Sequence, residues 1–396
     1  MSATKNPSLS AEEARELHSE ALVIDAQQPP ATSGFLFTKN MRTALKEYAS
    51  EGLSRREASV RLADMAVREI QTSSDARKQY LDLWRRSGVT VAGTTCAGAG
   101  PFTEAFEKAV KRVADARGIV DALEGELRLI RCSDDIEQTH RDGKHGIIID
   151  FQDSIAFGTD LNRIDLFYNL GLRVVQLTYN LRNLVGDGCT ETHKSGLTYF
   201  GREVVQRLNE LNMAVDVSHC SEQVGWDTIE VSTSPVIITH SSSAEVCYHD
   251  RGKSDSLARA IAKQGGFFGV VVIPGFLQET TEATLDDFAD HVEHLVNIMG
   301  IDHVGVGNDK AGPGPGTESL VVYPEAMPEK LGDGFEWNGF REKEHRVTKE
   351  HHLVGYDNFG DWPNLTIKLA ERGFTELELR KLLGLNFLRV FREIVG

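Results

Sequence analysis

Short runs of β-branched and apolar residues alternate with longer stretches of helical period along most of the chain, the pattern of parallel strands buried by crossover helices. Eight runs read as strands: 22–26 (LVIDA), 89–94 (VTVAGT), 146–151 (GIIIDF), 173–178 (RVVQLT), 214–218 (AVDVS), 235–239 (PVIIT), 267–272 (FFGVVV) and 303–307 (HVGVG). Most are almost continuously apolar, as expected of strands covered on both faces. A ninth run, 127–132 (LRLIRC), reads as part of an excursion before the third strand. Helical periodicity lies between them at 161–170, 201–211, 256–263 and 285–298, with Gly171, Gly265 and Gly300 placed to end helices.

Eight βα units without a GxGxxG fingerprint after the first strand favour a (β/α)8 TIM barrel over an open doubly wound sheet. The expected organisation is an N-terminal tail and helix over 1–20 and the barrel over 21–310. An insertion over 311–352, rich in Gly, Pro and charge, follows the last strand as a lid or interface loop, and 353–396 supplies two closing helices of the same domain.

The 396-residue chain carries a formal net charge of -16, which argues against nucleic acid and anionic membrane as partners and leaves a small molecule. The N-terminal stretch lacks an apolar core after its charges, and no run approaches the ~20 apolar residues of a membrane span, so a cytoplasmic location is expected. Five cysteines without CxxC spacing indicate reduced thiols, neither a disulfide framework nor a zinc ribbon.

In a barrel, polar residues that end an apolar strand face the mouth, where active sites of this fold are built. His219 ends strand five, His240 strand six and Asp309 strand eight, while Gln152 and Asp153 follow strand three. Histidines on adjacent strand tips stand about one strand spacing apart, ~5 Å, which suits two imidazoles on one metal. Arg251 lies in the loop after His240, where a guanidinium suits a carboxylate. Cys220 and Cys247 read as small buried residues, His345, His351 and His352 as a solvated cluster, and His291 and His294 as surface residues of one helix. Trp337 and Phe340 are the aromatic candidates for a lid or a subunit interface.

The segments VDVSHCS, VIITHSSSAEVCYHDRG and VGVGND resemble the membrane (renal) dipeptidase family of zinc peptidases. DLFYNLGLRVVQLTYN, GLTYFGREVVQRLNELNM and LGLNFLRVF support the likeness. The resemblance implies a barrel of the metal-dependent-hydrolase type with two zinc ions bridged by a glutamate, cleavage of dipeptides and related amides, and a homodimer. It places His219 and His240 on the second zinc, Arg251 on the substrate carboxylate, and Asp309 in the acid/base role. The chain departs from the family after strand one, where VIDAQQPP puts Gln27 and Pro29 at the His-x-Asp ligands of the first zinc. Gln152, or Asp150 with a two-residue gap, falls at the bridging glutamate, and Tyr179 in LTYN replaces a histidine.

Three readings stay open. The first is a dipeptidase-like hydrolase of a small carboxylate-bearing amide, with at most one Zn2+ or other divalent metal on His219 and His240, completed by Asp309, Asp153 or Gln152. There Tyr179 donates to the oxyanion, and Arg251, Gln27, Gln152 and Asn180 contact substrate. The second is a metal-independent lyase or isomerase using His219, His240, Tyr179 and Asp309 as acids and bases. The third is a non-catalytic protein that binds a small molecule in the same mouth.

Overall fold

The structure is a computed structural model and describes residues 9–28, 36–97, 102–123, 125–310, 327, 339–341, 343–347 and 351–396. Eight parallel strands form the barrel: β1 (Ile24–Gln28), β2 (Val91–Ala97), β3 (His145–Phe151), β4 (Leu172–Gln176), β5 (Ala214–Asp216), β6 (Ile237–Ser241), β7 (Phe267–Val270) and β8 (Val304–Val306). They are paired in that order, and the last meets the first through Asp309 N–H to Gln27 O at 2.9 Å. The eight runs read from the sequence are these eight strands, with ends shifted by a few residues. Of the ninth run, Leu127–Leu129 pairs with the early half of β3, outside the main strand order.

Alternation along each strand divides the apolar residues between two cores. Ile24, Val91, Ile148, Val174, Ala214, Ile237 and Phe267 fill the barrel's interior, and Phe387, Leu388 and Phe391 from the last helix (Asn386–Val395) close its floor. The opposite strand faces pack under the surrounding helices in the larger core. With the floor sealed, polar side chains at the other strand ends have one direction to face. The closing segment is helical as expected, Trp362–Glu371 and then Glu376–Val395, the latter interrupted by a wider π-helical turn at Lys381–Leu385.

The barrel is irregular at its functional end. Register shifts occur between Asp25 and Gln28, between Thr95 and Ala97, and between Ile238 and Ser241, bulges that re-aim Gln27, Thr95 and His240. Among the described residues no helix is long and apolar enough to cross a membrane. Most of the expected 311–352 insertion, including Trp337, and also Pro29, lie outside the described residues. Phe340 is described: it is buried against Val271 and Phe276.

Candidate functional site

His219 and His240 meet where the sequence places them. Their ring centroids are 4.9 Å apart and their Nε2 atoms 2.8 Å apart. Asp309 completes the cluster, with Oδ2 3.9 Å from His240 Nε2, and one donor atom from each of the three lies within 4.8 Å of the others. Gly307 permits the approach of β8, since a Cβ there would stand 2.0 Å from Thr239 O and 3.2 Å from His240 Cβ. Asp309 itself has φ of 54°, a left-handed conformation that aspartate tolerates better than most residues. Strain of this kind is held by its surroundings, here the bonds from the Asn308 and Asp309 amides to Asp25 Oδ1 and Gln27 O, both 2.9 Å.

The second nitrogen of each imidazole is engaged, and this fixes what the first offers. His219 Nδ1 lies 2.6 Å from Asn180 Oδ1, an acceptor that also takes the Cys189 thiol at 3.3 Å. His240 Nδ1 lies 2.8 Å from Thr239 Oγ1, whose hydroxyl proton is donated to Asp216 Oδ2 at 2.5 Å. Both rings therefore carry hydrogen on Nδ1 and present a lone pair on Nε2, the arrangement seen in histidine metal ligands oriented by carboxylates and carbonyls. Burial, reinforced by the Arg251 charge, holds both histidines well below the ordinary imidazole range. At 2.8 Å the two Nε2 atoms need a hydrogen or a cation between them, because two facing lone pairs repel.

Burial first, against the pull of Arg251, pushes Asp309 up to about 7. Gln152 beside it favours the charged form and opposes the burial. Tyr179 stacks on the His219 ring, with centroids 4.1 Å apart and 20° between planes, and burial pushes its phenol upward. Arg251 is buried completely, and its terminal nitrogens donate to the Ser218 and His240 carbonyls, the latter at 2.9 Å. Its Nε is buried without a protein partner.

Residues 12–336 match the profile of the family described as membrane dipeptidase, peptidase family M19. The chain belongs to the membrane dipeptidase family. Among relatives, dipeptidase tcpJ of Claviceps purpurea is 27% identical over 279 residues, covering 70% of this chain and 57% of that protein. Dipeptidase 3 of Mus musculus is 29% identical over 275 residues, covering 68% of this chain and 48% of that protein. The chain thus spans about half the length of these two curated relatives. A solved amidohydrolase of Pseudomonas aeruginosa is 28% identical with a TM-score of 0.73, covering 98% of this chain and 100% of that one. These likenesses establish a (β/α)8 barrel and a dipeptidase-like hydrolase family that is metal-dependent.

Against the membrane dipeptidase pattern, the two halves of the mouth differ. Gln27 Nε2 donates to Thr95 Oγ1 at 2.6 Å and approaches Asp150 Oδ2 at 3.5 Å, while Thr95 Oγ1 donates to Asp150 Oδ1 at 2.9 Å. This closed knot occupies the place that the resemblance gives to the first metal, and burial holds the Asp150 carboxyl well above its usual range. A second metal position is not supplied by the Gln27 amide nitrogen, which has no lone pair to give and is engaged with Thr95. A single position at His219, His240 and Asp309 does fit. Tetrahedral zinc ligands at about 2.05 Å stand about 3.3 Å apart, so the two Nε2 atoms need to part only slightly.

Several expectations need correction. Asp153 is no candidate ligand: Oδ1 accepts from Ile155 N at 2.9 Å and Asn183 Nδ2 at 2.7 Å, and Oδ2 from Tyr179 N at 3.2 Å. Asn180 and Gln27, expected at the substrate, also make protein contacts: Asn180 Oδ1 lies 2.6 Å from His219 Nδ1, and Gln27 Nε2 donates to Thr95. His291 is buried rather than superficial, with Nδ1 accepting from Ser243 N at 3.1 Å. His345 is likewise buried, with Nε2 3.2 Å from Asp250 Oδ2. The sequence reading missed Thr239 and Asp216, although a lone aspartate inside the apolar strand AVDVS was a visible signal.

Proposed function

We propose that this member of the membrane dipeptidase family hydrolyses a small amide bearing a carboxylate, a dipeptide or an analogue, with one divalent metal ion, zinc in the first instance. The supporting observation is the convergence of two Nε2 lone pairs beside Asp309, each imidazole fixed through Nδ1. His219 and His240 hold the metal. When bound, such an ion supplies Lewis acidity, polarising a carbonyl and making water acidic near neutrality.

The remaining work falls to side chains. Asp309, beside the histidine pair with Oδ2 3.9 Å from His240 Nε2, is suited to take a proton from the attacking water and return it to the leaving nitrogen. Tyr179 is held against His219 as a neutral phenol and donates to the carbonyl oxygen as it gains charge. Arg251 meets the substrate carboxylate; of its five N–H groups two are engaged with carbonyls, and the Nε–H is buried with no protein partner.

The test is hydrolysis of a panel of dipeptides and N-acyl amino acids by zinc-loaded protein and by protein treated with chelator. Turnover that disappears with the chelator and returns with one equivalent of Zn2+ supports this reading. Turnover that survives complete metal removal would transfer the chemistry to the metal-independent alternative.

A further inference from the structure

The loop after β6 carries two buried cations, Arg251 and Lys253, and the assignments above use only the first. Lys253 is almost fully buried, and its ammonium donates to the Cys220 carbonyl at 2.5 Å. Arg251 donates to the Ser218 carbonyl, so the two cations grip the main chain immediately before and immediately after His219. The His219 carbonyl between them accepts from Cys189 N at 2.8 Å. The second nitrogen of Arg251 reaches the His240 carbonyl. The loop is itself anchored beside β6, through Lys253 N to Ser242 O at 2.9 Å, Ala244 N to Lys253 O at 3.0 Å, and Ser241 Oγ to Arg251 O.

Placing two fixed positive charges behind a pair of metal-binding histidines is electrostatically adverse. Both charges disfavour positive charge on the His219 and His240 rings. An isolated buried ammonium is also costly by itself. A role by charge alone and a role by hydrogen bonding therefore make opposite forecasts for metal affinity, which separates them.

We propose that Lys253 is a positioning residue for the metal site: with Arg251 it clamps the main chain on both sides of His219, holding its Nε2 in register with that of His240. The proposal rests on the one-metal reading of the site, and its test includes a readout that needs no metal. Replacing Lys253→Met removes charge and donor together, whereas Lys253→Gln removes the charge and keeps an N–H donor.

Zinc affinity of the whole protein, measured by competition with a chromophoric chelator, is expected to fall about tenfold or more in Lys253→Met, in the range found when partners of ligating histidines are removed. It is expected to recover substantially in Lys253→Gln. In metal-free protein, hydrogen exchange at the Cys189 and Cys220 amides should accelerate in Lys253→Met, while amides in β2 and β3 keep wild-type protection. Should Lys253→Met fail to fold, the Gln variant carries the test, with near-wild-type exchange and zinc affinity expected. Unchanged or tighter zinc binding in Lys253→Met with unchanged exchange would overturn the clamp, as would Lys253→Gln behaving like Lys253→Met. If wild-type protein binds no zinc, the one-metal reading fails, and the exchange measurement still decides the clamp.

Discussion

The two halves of the barrel mouth are built from similar material and do opposite things with it. At the tips of β1, β2 and β3, Gln27, Thr95 and Asp150 hydrogen-bond to one another, so donor meets acceptor within the protein. At the tips of β5, β6 and β8, His219, His240 and Asp309 are each supported from behind, and their free atoms converge. A buried polar cluster that satisfies itself is a structural element. A buried cluster satisfied everywhere except at its point of convergence is a binding site. The difference lies in the second layer of residues: Asn180 and the Thr239–Asp216 relay support the imidazoles from behind, whereas Gln27 has turned its amide nitrogen toward Thr95 and Asp150.

The sharpest way to break this contrast is at the histidines. His219→Ala or His240→Ala should weaken zinc binding by more than about a hundredfold, since two imidazoles are the core of the donor set. Chelator competition reads this directly, and zinc affinity that survives either change would place the metal elsewhere.

Next in size is the support layer. Asn180→Leu, which leaves His219 Nδ1 without its acceptor, should cost about 10- to 100-fold in zinc affinity, and Thr239→Val should do the same through His240. An unchanged affinity in both would mean that the tautomers are not set from behind.

The first half should respond in stability and not in metal binding. Gln27→Ala removes a buried hydrogen-bonding amide and should lower unfolding free energy by about 1–3 kcal/mol in urea titrations. Zinc affinity should stay within about threefold of wild type. A parallel collapse of metal binding would show that the two halves form one site.

The last effect, confined to a narrow pH window, concerns Asp153, whose carboxylate oxygens are taken up by hydrogen bonds within the protein. Its folded pKa is raised to about 6, foremost by burial, from the model-peptide value of 3.8. Between those values the folded protein keeps a proton that the unfolded chain has released, so stability falls as pH rises through that window. Asp153→Asn has no such proton. Its urea-midpoint profile should therefore be flatter from about pH 4 to about pH 6, by a contribution of about 3 kcal/mol at most, with zinc affinity unaltered. A slope equal to wild type would assign the proton to another of the buried carboxyls.

Much of this was legible in the chain. All eight barrel strands were marked by apolar runs, because both faces of a parallel barrel strand are covered and the sequence shows it continuously. The histidine pair was legible for the same reason: a polar residue ending such a run has only the mouth to face, and the ~5 Å strand spacing set their separation. Which way a side chain turns once there was not legible. Gln27, Asn180 and Asp153 all follow strands, and only hydrogen bonds to residues distant in sequence, Asp150, His219 and Tyr179, decide that they face the protein. His291 and His345 escaped for a related reason. Helical spacing and a polar neighbourhood suggested solvent, but the Ser243 amide and the Asp250 carboxylate cover them.

The measurement closest to the central claim is the zinc content of wild-type protein, reconstituted with excess Zn2+, desalted and assayed by mass spectrometry of the metal. One equivalent per chain is predicted, lost in the His219→Ala, His240→Ala double variant and retained in Gln27→Ala. Two equivalents, or none, would contradict it.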